Sequence, residues 1–466
     1  MAKAEDLMPK FPMTTVTPHK VIATLMQVNN PWDPSVVEDV PEFETMKPKV
    51  PDNDIIRQAM KCGRAKSAGM DEVPPFLWYC LPDDIFKHVC DIIRVILKGS
   101  YYPSLFKDTR VFPLYKKGDP LEAKAWRPIS ITNALYRIVF KLMYQQLYEH
   151  LEPQLHPLQF GARKNRSCAQ TTLVMEGMID FFKKNNPQQN VFLGLLDIKN
   201  AFTSVPIHLL MRVMQRRGVP LEWLSMIFEA SYNVNNSFYN PITKEYEEEV
   251  AFSGVKQGCP LSPLFFSIFI DPILSAIPGL QDHIICYIDD IAVIHPTIEG
   301  MTTAIQDVRV YLARLGLLLN PLKSKVMGYV HTYVDEFGNL VDPVTNPKID
   351  PAGNNYFDEE GMPKGHANTV PLYIPGVTMY NMCKLQRDKN EWEEIELFEL
   401  PPFYMDPTDQ VTHLGHPVRL DAKEKIYEQI YNTVTEDIHK MHQKPMPTHL
   451  RVKYANMVLI PRVCIG

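Results

Sequence analysis

Apolar positions along the chain switch repeatedly between a helical and a strand period. Ile55 to Lys66 and Pro82 to Lys98 read as amphipathic helices, and in the second Ile85, Val89, Ile92, Ile93 and Ile96 share one face. A short strand is expected over Thr109 to Tyr115, ending at the basic pair Lys116 and Lys117. Helices are expected over Asn133 to His150 and Cys168 to Lys183, with Ser167 as the N-cap of the latter. The run VFLGLLDI reads as a short apolar strand, and a helix follows from Ile207 to Gly218. A second unit repeats the switch: a helix within Leu264 to Ala276, a strand pair in IICYIDDIAVIH and a helix from Met301 to Leu315. The order strand–helix–strand–strand–helix predicts an α+β fold built on a ferredoxin-like, split βαβ sheet. Past Asp421, apolar residues at 426, 430, 434 and 438 form a helical stripe, the start of a separate helical unit.

With 466 residues the chain exceeds one hydrophobic core, which stops growing at roughly 250–300 residues, so two or three structural units are expected. Its composition, 45% apolar and 22% charged, excludes collagen, coiled coil and disorder throughout. Proline outnumbers glycine, 40 to 21, which predicts long extended connections. The opening MAKAEDLMPKFP does not resemble a secretory signal, and the longest apolar run, Leu261 to Ile277, is broken by Asp271 and Pro272. A soluble, intracellular protein without membrane contact is expected. The eight cysteines are scattered with no C-x-x-C pair, as suits reduced thiols rather than a zinc site or disulfides. His439 and His442 read as a solvated helix face.

Charge is segregated. Residues 1–56 carry net −4, residues 57–184 net +8 and residues 331–410 net −10. A basic block in an acidic protein is the usual footprint of a polyanion site, although a solvated charged face explains the charge alone equally well. Residues 331–410 also hold nine prolines and five glycines, with no strand or helix period until about Glu391. They read as a loop-rich surface insertion in a more regular domain.

Three aspartates stand where strands are expected: Asp197 at the end of VFLGLLDI, and Asp289 and Asp290 within CYIDDIAVIH. Aspartate is depleted in strands, and an unpaired buried carboxylate is costly. A plain hairpin turn is the bland alternative for the Asp-Asp pair, but Asp-Asp is a poor two-residue turn. If the two strands are neighbours, all three carboxylates converge at one edge and need a strong positive counter-charge. Magnesium, bound through carboxylates and substrate phosphates, would supply it, and two such ions would clamp the oxygens of a phosphoryl transfer.

Other segments fit the same chemistry. Phe202 follows Asp197 closely enough to wall the same pocket. SGVKQGCPLSP offers Gly254 and Gly258 for close backbone approach to a ligand and Gln257 as a polar contact. QFGARKNRS presents Gly161, Arg163, Lys164 and Arg166 for phosphate contacts. LNPLKSKV places Lys323 and Lys325 where an ammonium could neutralise or protonate a leaving pyrophosphate.

In order along the chain, KAWRPISIT, LHPLQFGARKNRS, LGLLDIKNAFTSVP, SGVKQGCPLSPLFFSIFID, CYIDDIAVI, GLLLNPLKSKVM and THLGHPV resemble a reverse transcriptase, over about residues 65–465. The form of GVKQGCPLSPLFF is similar to the polymerases of non-LTR (LINE-like) retrotransposons, and AKSAGMDEVPPFLW resembles the segment those enzymes carry before the fingers. The resemblance implies a right-hand polymerase of fingers, ferredoxin-like palm and helical thumb, synthesising DNA on an RNA template from a DNA or RNA primer and deoxynucleoside triphosphates. It implies two magnesium ions, with manganese as an alternative. Carried over by motif, Asp197, Asp289 and Asp290 are the metal-binding catalytic triad. Phe202 is the steric gate, and Arg127, Ile198, Gln257, Gly258 and Lys323 face the nucleotide. Gly161, Arg163, Arg166 and Gly254, with the primer grip His413-Leu414-Gly415, face template and primer.

The implied division is an acidic, Pro-rich extension over 1–54, a helical pre-fingers segment over 55–106, and fingers and palm over 107–418. An insertion at about 331–407 interrupts the last of these, and residues 419–466 would be an incomplete thumb. No endonuclease motif is recognisable before the fingers, and no zinc knuckle or restriction-like nuclease after them. The chain then reads either as a portion of a longer element or as a polymerase without its usual nicking partner. An active RNA-directed DNA polymerase is the leading expectation; the alternative is a non-catalytic nucleic-acid-binding protein on the same fold.

Overall fold

The computed structural model describes residue 30, residues 32–329 with breaks at 64–65, 100–101, 117–124, 186–190, 240–245 and 321–322, and short pieces between 333 and 418. The expected thumb, Lys117 and Gly415 lie outside the described residues, as does most of the insertion.

A 3-10 turn over Pro34–Asp39 precedes α1 (Asn53–Gly63), α2 (Pro75–Tyr79) and α3 (Asp83–Lys98). Strands β1 (Thr109–Tyr115) and β2 (Trp126–Thr132) lead into α4 (Ala134–Leu151) and α5 (Cys168–Asn185). Next come β3 (Val191–Lys199), α6 (Ala201–Ser204), α7 (Ile207–Arg216), α8 (Leu221–Ser231), β4 (Val234–Tyr239) and β5 (Tyr246–Ala251). The last part holds α9 (Ser262–Ile270), α10 (Ile273–Ala276), β6 (Ile284–Tyr287), β7 (Asp290–His295), α11 (Ile298–Arg314), β8 (Leu318–Leu319) and β9 (Lys325–Tyr329).

Local chemistry sets these limits. Ser167 caps α5: its Oγ accepts the Gln170 N–H while Gln170 Oε1 accepts the Ser167 N–H, at 3.3 and 3.0 Å, a reciprocal capping box. The single helix expected over Leu264 to Ala276 is two helices, because Pro272 has no N–H to donate to the turn before it. In the insertion, 377–381 pairs antiparallel with 393–397, although no strand was expected before about Glu391. Five residues hold too few positions for a two-residue period to stand out.

Mixed helices and strands form an α+β fold around two sheets. One runs β2-β1-β4-β5, with β1 and β4 parallel. The other is antiparallel and places β3 centrally, between β7 and the short β8 and β9, with β6 outermost beside β7. Both faces of this second sheet are covered, and β3 is apolar on both sides, so its alternation is invisible until Asp197. Phe192, Leu196 and Ile198 join the main core with α7, α9 and α11, and Gly194 leaves room for Met301 and Ile305 of α11. Val191, Leu193 and Leu195 face the other way, onto Met175 and Ile179 of α5, with Ile285, Ala292, Met327 and Val418.

Residues 32–52 lie along the outside of the helices. Arg314 of α11 bonds Asp33 at 2.9 Å, and Phe43 and Met46 donate to the carbonyls of Arg216 and Gly218 at 2.7 and 2.8 Å. Deeper in, Arg217 Nη2 meets Asp271 Oδ2 at 2.7 Å with both side chains nearly inaccessible, and Asp271 Oδ1 accepts the His156 N–H at 2.9 Å. This pair joins the end of α7 to the break between α9 and α10. Removing one partner strands the other charge in the core, so Asp271→Ala should lose about 3–5 kcal/mol of unfolding free energy. Urea denaturation checks this, and a loss below ~1 kcal/mol would contradict a buried, mutually dependent pair.

Candidate active site

The geometry starts from register. Asp197 of β3 stands directly opposite Asp290 of β7, and Tyr287 of β6 opposite Asp290 in turn. Residues directly opposed across antiparallel strands share a face. Asp197 therefore continues the row Val191, Leu193, Leu195, and Asp290 the row Ile294, Ala292. The carboxylates begin where the apolar cover of α5 ends. Ile288 and Asp289 make the two-residue turn of the β6–β7 hairpin, one residue earlier than the Asp289–Asp290 turn weighed in the sequence, so Asp290 is a strand residue and Asp289 a turn residue. Ile288 takes φ 58°, a left-handed conformation that a β-branched residue adopts only when its surroundings hold it there.

Electrostatics follow from this crowding. Burial, then the neighbouring carboxylates Asp289 and Asp197, push the Asp290 carboxyl up to about 6. Burial and Asp197 also raise Asp289, while Arg127 and Lys116 pull it down. Lys323 Nζ approaches Asp197 Oδ2 at 3.6 Å, and that oxygen is buried with no hydrogen bond among the described residues. The Asp197 backbone is fixed from the β8–β9 side: its N–H donates to Ser324 Oγ at 3.1 Å, and its carbonyl accepts the Asn320 N–H at 2.8 Å.

A cavity of about 540 Å³ opens over Asp197 and Asp289, between the two sheets, while Asp290 is not among its lining residues. It brings together Asp197, Asp289, Arg127, Phe202, Gln257, Gly258 and Lys323, all picked out in the sequence, and adds Lys116, Trp126 and Asn200. Lys116 has no motif around it, and only its place at the end of β1 could have pointed to it. Phe202 borders the cavity and stacks on Phe266 of α9, centroids 5.1 Å apart and planes 19° from parallel, so it is a cavity wall held by the core. Ile198 also borders the cavity, but its side chain is buried among core residues, as expected one residue beyond Asp197.

Other expected contacts are used within the chain. Arg163 faces inward: Nε bonds Glu152 at 2.8 Å, and Nη1 the carbonyls of His156 and Gln159 at 2.9 and 3.1 Å. Only a tenth of its side chain is accessible, so its guanidinium is already satisfied. Arg166 is exposed, with its guanidinium over the Phe160 ring at 4.8 Å. The close approaches expected at the glycines are to the chain itself. A β-carbon at Gly161 would overlap the Ile288 backbone, one at Gly258 would overlap the Ser130 carbonyl, and Gly254 turns against Thr203. His413 is buried at the end of a two-strand hairpin, and Leu414 takes φ 51° in its turn. The second strand puts Val418 on the α5-covered face of the sheet, the face that carries Asp197.

The donor set suits a hard divalent cation: carboxylate oxygens, one of them buried without a hydrogen bond. It is not a finished cage, since no group of three or more His, Cys, Asp or Glu among the described residues is arranged to hold a metal. Magnesium sites that use one or two carboxylates and complete their shell with phosphate oxygens have this incompleteness.

A sequence model of the family described as reverse transcriptase (RNA-dependent DNA polymerase) matches residues 115–416. Among curated proteins, the Pol polyprotein of the type-1 retrotransposable element R2 of Nasonia vitripennis is 24% identical over 286 residues, 60% of this chain and 27% of that protein. The transposon TX1 149 kDa protein of Xenopus laevis is 25% identical over 281 residues, 56% of this chain and 20% of that protein. A probable RNA-directed DNA polymerase from the Drosophila melanogaster transposon BS is 25% identical over 209 residues, 44% of this chain and 22% of that protein. The matched region thus spans between a fifth and about a quarter of the length of these relatives.

The raised Asp290 carboxyl has a consequence for stability without metal. Its value rises from about 3.9 in the unfolded chain to about 6 in the fold. The folded state therefore binds more protons between those values, and stability falls as pH rises through that window. In EDTA, Asp290→Asn should melt above the parent at pH 7–8, and the difference should vanish below about pH 4. Thermal melts across pH check this, and a variant melting below the parent at pH 8 would contradict the crowding.

Proposed function

The chain belongs to the reverse transcriptase family, on its non-LTR retrotransposon side, and from that membership we propose that it is an RNA-directed DNA polymerase. In this reading the β3-centred sheet with its helices is the palm, and the β1–β2–β4–β5 sheet contributes the fingers. The observation that carries the proposal is the placing of Asp197 opposite Asp290, with Asp289 in the turn just before it, and of Asp197 and Asp289 under a cavity rimmed by Arg127, Lys116 and Lys323.

The family uses divalent metal ions, and here Asp197, Asp289 and Asp290 would hold two magnesium ions or, in their place, manganese. When bound, these ions supply the charge that stabilises the attacking and leaving oxygens of nucleotidyl transfer. The remaining work falls to the chain. Arg127 and Lys116 present cations to the triphosphate from the β1–β2 side, and Lys323 from the side of Asp197, where an ammonium can neutralise the departing pyrophosphate. Phe202, held by its stack on Phe266, offers a flat apolar surface to the sugar and no partner for a 2′-hydroxyl. Gln257 and Gly258 line the nucleotide side, and their loop is tied to β2 by the Ser130 N–H donating to the Gln257 carbonyl at 2.7 Å. The Val411–His413 and His416–Val418 hairpin, docked on the carboxylate face, suits a primer grip. RNA template, DNA or RNA primer and deoxynucleotides are the proposed partners, with the exposed Lys164 and Arg166 the phosphate contacts left to the QFGARKNRS segment. No helix among the described residues is long and apolar enough to cross a membrane.

Primer extension on poly(rA)/oligo(dT) with magnesium tests the proposal. The parent should add dTMP, and Asp289→Ala should abolish addition while keeping the parental fold by circular dichroism. Asp289→Asn should fail almost as badly, since the amide keeps the shape and loses the charge. Extension by Asp289→Ala at the parental rate would sink the assignment.

Sugar choice gives a second outcome. An unpaired hydroxyl costs roughly 1–3 kcal/mol to desolvate, so discrimination against ribonucleotides should reach about ten- to hundred-fold before any steric contribution. Phe202→Ala should remain soluble and lose most of that discrimination in paired dTTP and UTP assays. If both activities fall with their ratio unchanged, Phe202 serves only its stack with Phe266.

A further inference from the structure

Gln159 is fully buried, two residues before Gly161 in QFGARKNRS. Leu158 to Phe160 runs as an extra parallel partner along the outer edge of β6: Cys286 donates to the Leu158 carbonyl at 3.0 Å, and Phe160 to the Cys286 carbonyl at 2.8 Å. At the end of this short pairing, Gln159 Oε1 accepts two backbone N–H groups, from Gly161 at 2.9 Å and from Ile288 at 3.3 Å. The amide Nε2 has no partner among the described residues, so the acceptor oxygen is the part in use. Gly161 lies so close to the turn that a β-carbon would collide with Ile288, and its carbonyl accepts from Ser267 of α9 at 3.1 Å. Arg163, turned inward onto the Gln159 carbonyl, braces the same segment.

These contacts meet at one strained residue. Ile288 sits at φ 58° immediately before Asp289, and its N–H reaches Gln159. Strain of this kind persists only where neighbours over-determine the conformation. We propose that Gln159 is a positioning residue: through its side-chain oxygen it holds the left-handed Ile288 turn, and so fixes where the Asp289 carboxylate stands relative to Asp197. The proposal rests on the polymerase reading for its effect on rate, but not for its effect on the hairpin.

The test compares full-length variants by amide hydrogen exchange and by steady-state kinetics on poly(rA)/oligo(dT). Gln159→Met keeps the length and removes the acceptor, and should speed exchange across residues 285–291 about tenfold or more. It should lower kcat roughly 10- to 100-fold, as a displaced catalytic group does, with KM for dTTP within about twofold of the parent. Gln159→Glu keeps an acceptor oxygen in either protonation state and should restore most of kcat. Ile288→Gly removes the need to hold a side chain in the left-handed region, so Gln159→Met should cost several-fold less kcat in that background. If Gln159→Met is insoluble, Gln159→Asn, one methylene too short to reach Ile288, replaces it with the same expected outcomes.

Parental exchange at the hairpin in Gln159→Met would overturn the proposal. So would a kcat loss equal in Gln159→Glu, or one undiminished by Ile288→Gly, since simple core packing gives both. A parent that adds no nucleotide refutes the polymerase reading alone, and hydrogen exchange still decides the role of Gln159.

Discussion

The structure depends on a repulsion. Asp197 and Asp290 face each other across an antiparallel pair, and Asp289 stands at the turn beside them. Like charges directly opposed across strands destabilise a sheet. The sheet withstands this because everything behind the carboxylates is strongly cohesive. Three residues of β3 face α5 on one side, and three more join the main core on the other. The repulsion falls at the one end of the strands where apolar cover stops. There it is partly offset by cations from separate elements: Lys116 and Arg127 at the β1–β2 side, and Lys323 between β8 and β9. The offset is incomplete, since burial and the neighbouring carboxylates still push the Asp290 carboxyl up.

That arrangement requires two sheets to keep a fixed separation, and the loop over 253–261 sets it. Gly258 presses on the Ser130 carbonyl of β2, while Val255 donates to the Phe202 carbonyl at 2.8 Å beside β3. Between them Lys256 is drawn into the interior, its Nζ donating to the carbonyls of Lys107 and Ala230 at 2.6 and 2.9 Å and lying over the Tyr136 ring. Burial lowers its ammonium to about 7. A motif whose glycines look like ligand contacts is thus first a tie between sheets, and the cavity is the gap that the tie leaves.

The parts legible in the sequence are those where one residue violates its local pattern. A charge at the end of VFLGLLDI and a doubled charge inside CYIDDIAVIH contradict strand chemistry, and the fold puts them together. Elements with a long period were equally legible, and α3, α5 and α7 begin within a residue or so of expectation. What stayed hidden depends on partners distant in sequence or on groups without a pattern. Lys116 is an ordinary lysine until β1 and β2 place it at the cavity rim. Arg163 looks like a phosphate contact until Glu152, eleven residues earlier, is seen to bond it at 2.8 Å. Gln159 carries no signal of its own, because Ile288, the turn residue it bonds, lies 129 residues away.

The same reasoning changes the meaning of the basic block over residues 57–184. Its net +8 suggests a polyanion surface, yet several of its cations are engaged at home. Arg57 pairs with Asp83, Arg94 with Asp91, Arg110 with Glu72 and Arg163 with Glu152. The first three are surface pairs, each worth little in stability, although Arg94 also bonds the Pro51 carbonyl and the Asn53 side chain. The fourth is largely buried and cannot change partners without losing its place in the fold. Of the remaining cations of this segment, five border two openings on either side of β2. One is the carboxylate cavity with Lys116 and Arg127, and the other is a groove of about 430 Å³ bordered by Lys66, Arg137 and Lys141. The segment's net charge counts paired and unpaired cations alike. What matters is which few cations the fold leaves facing an opening, and β2, exposed to both, decides that.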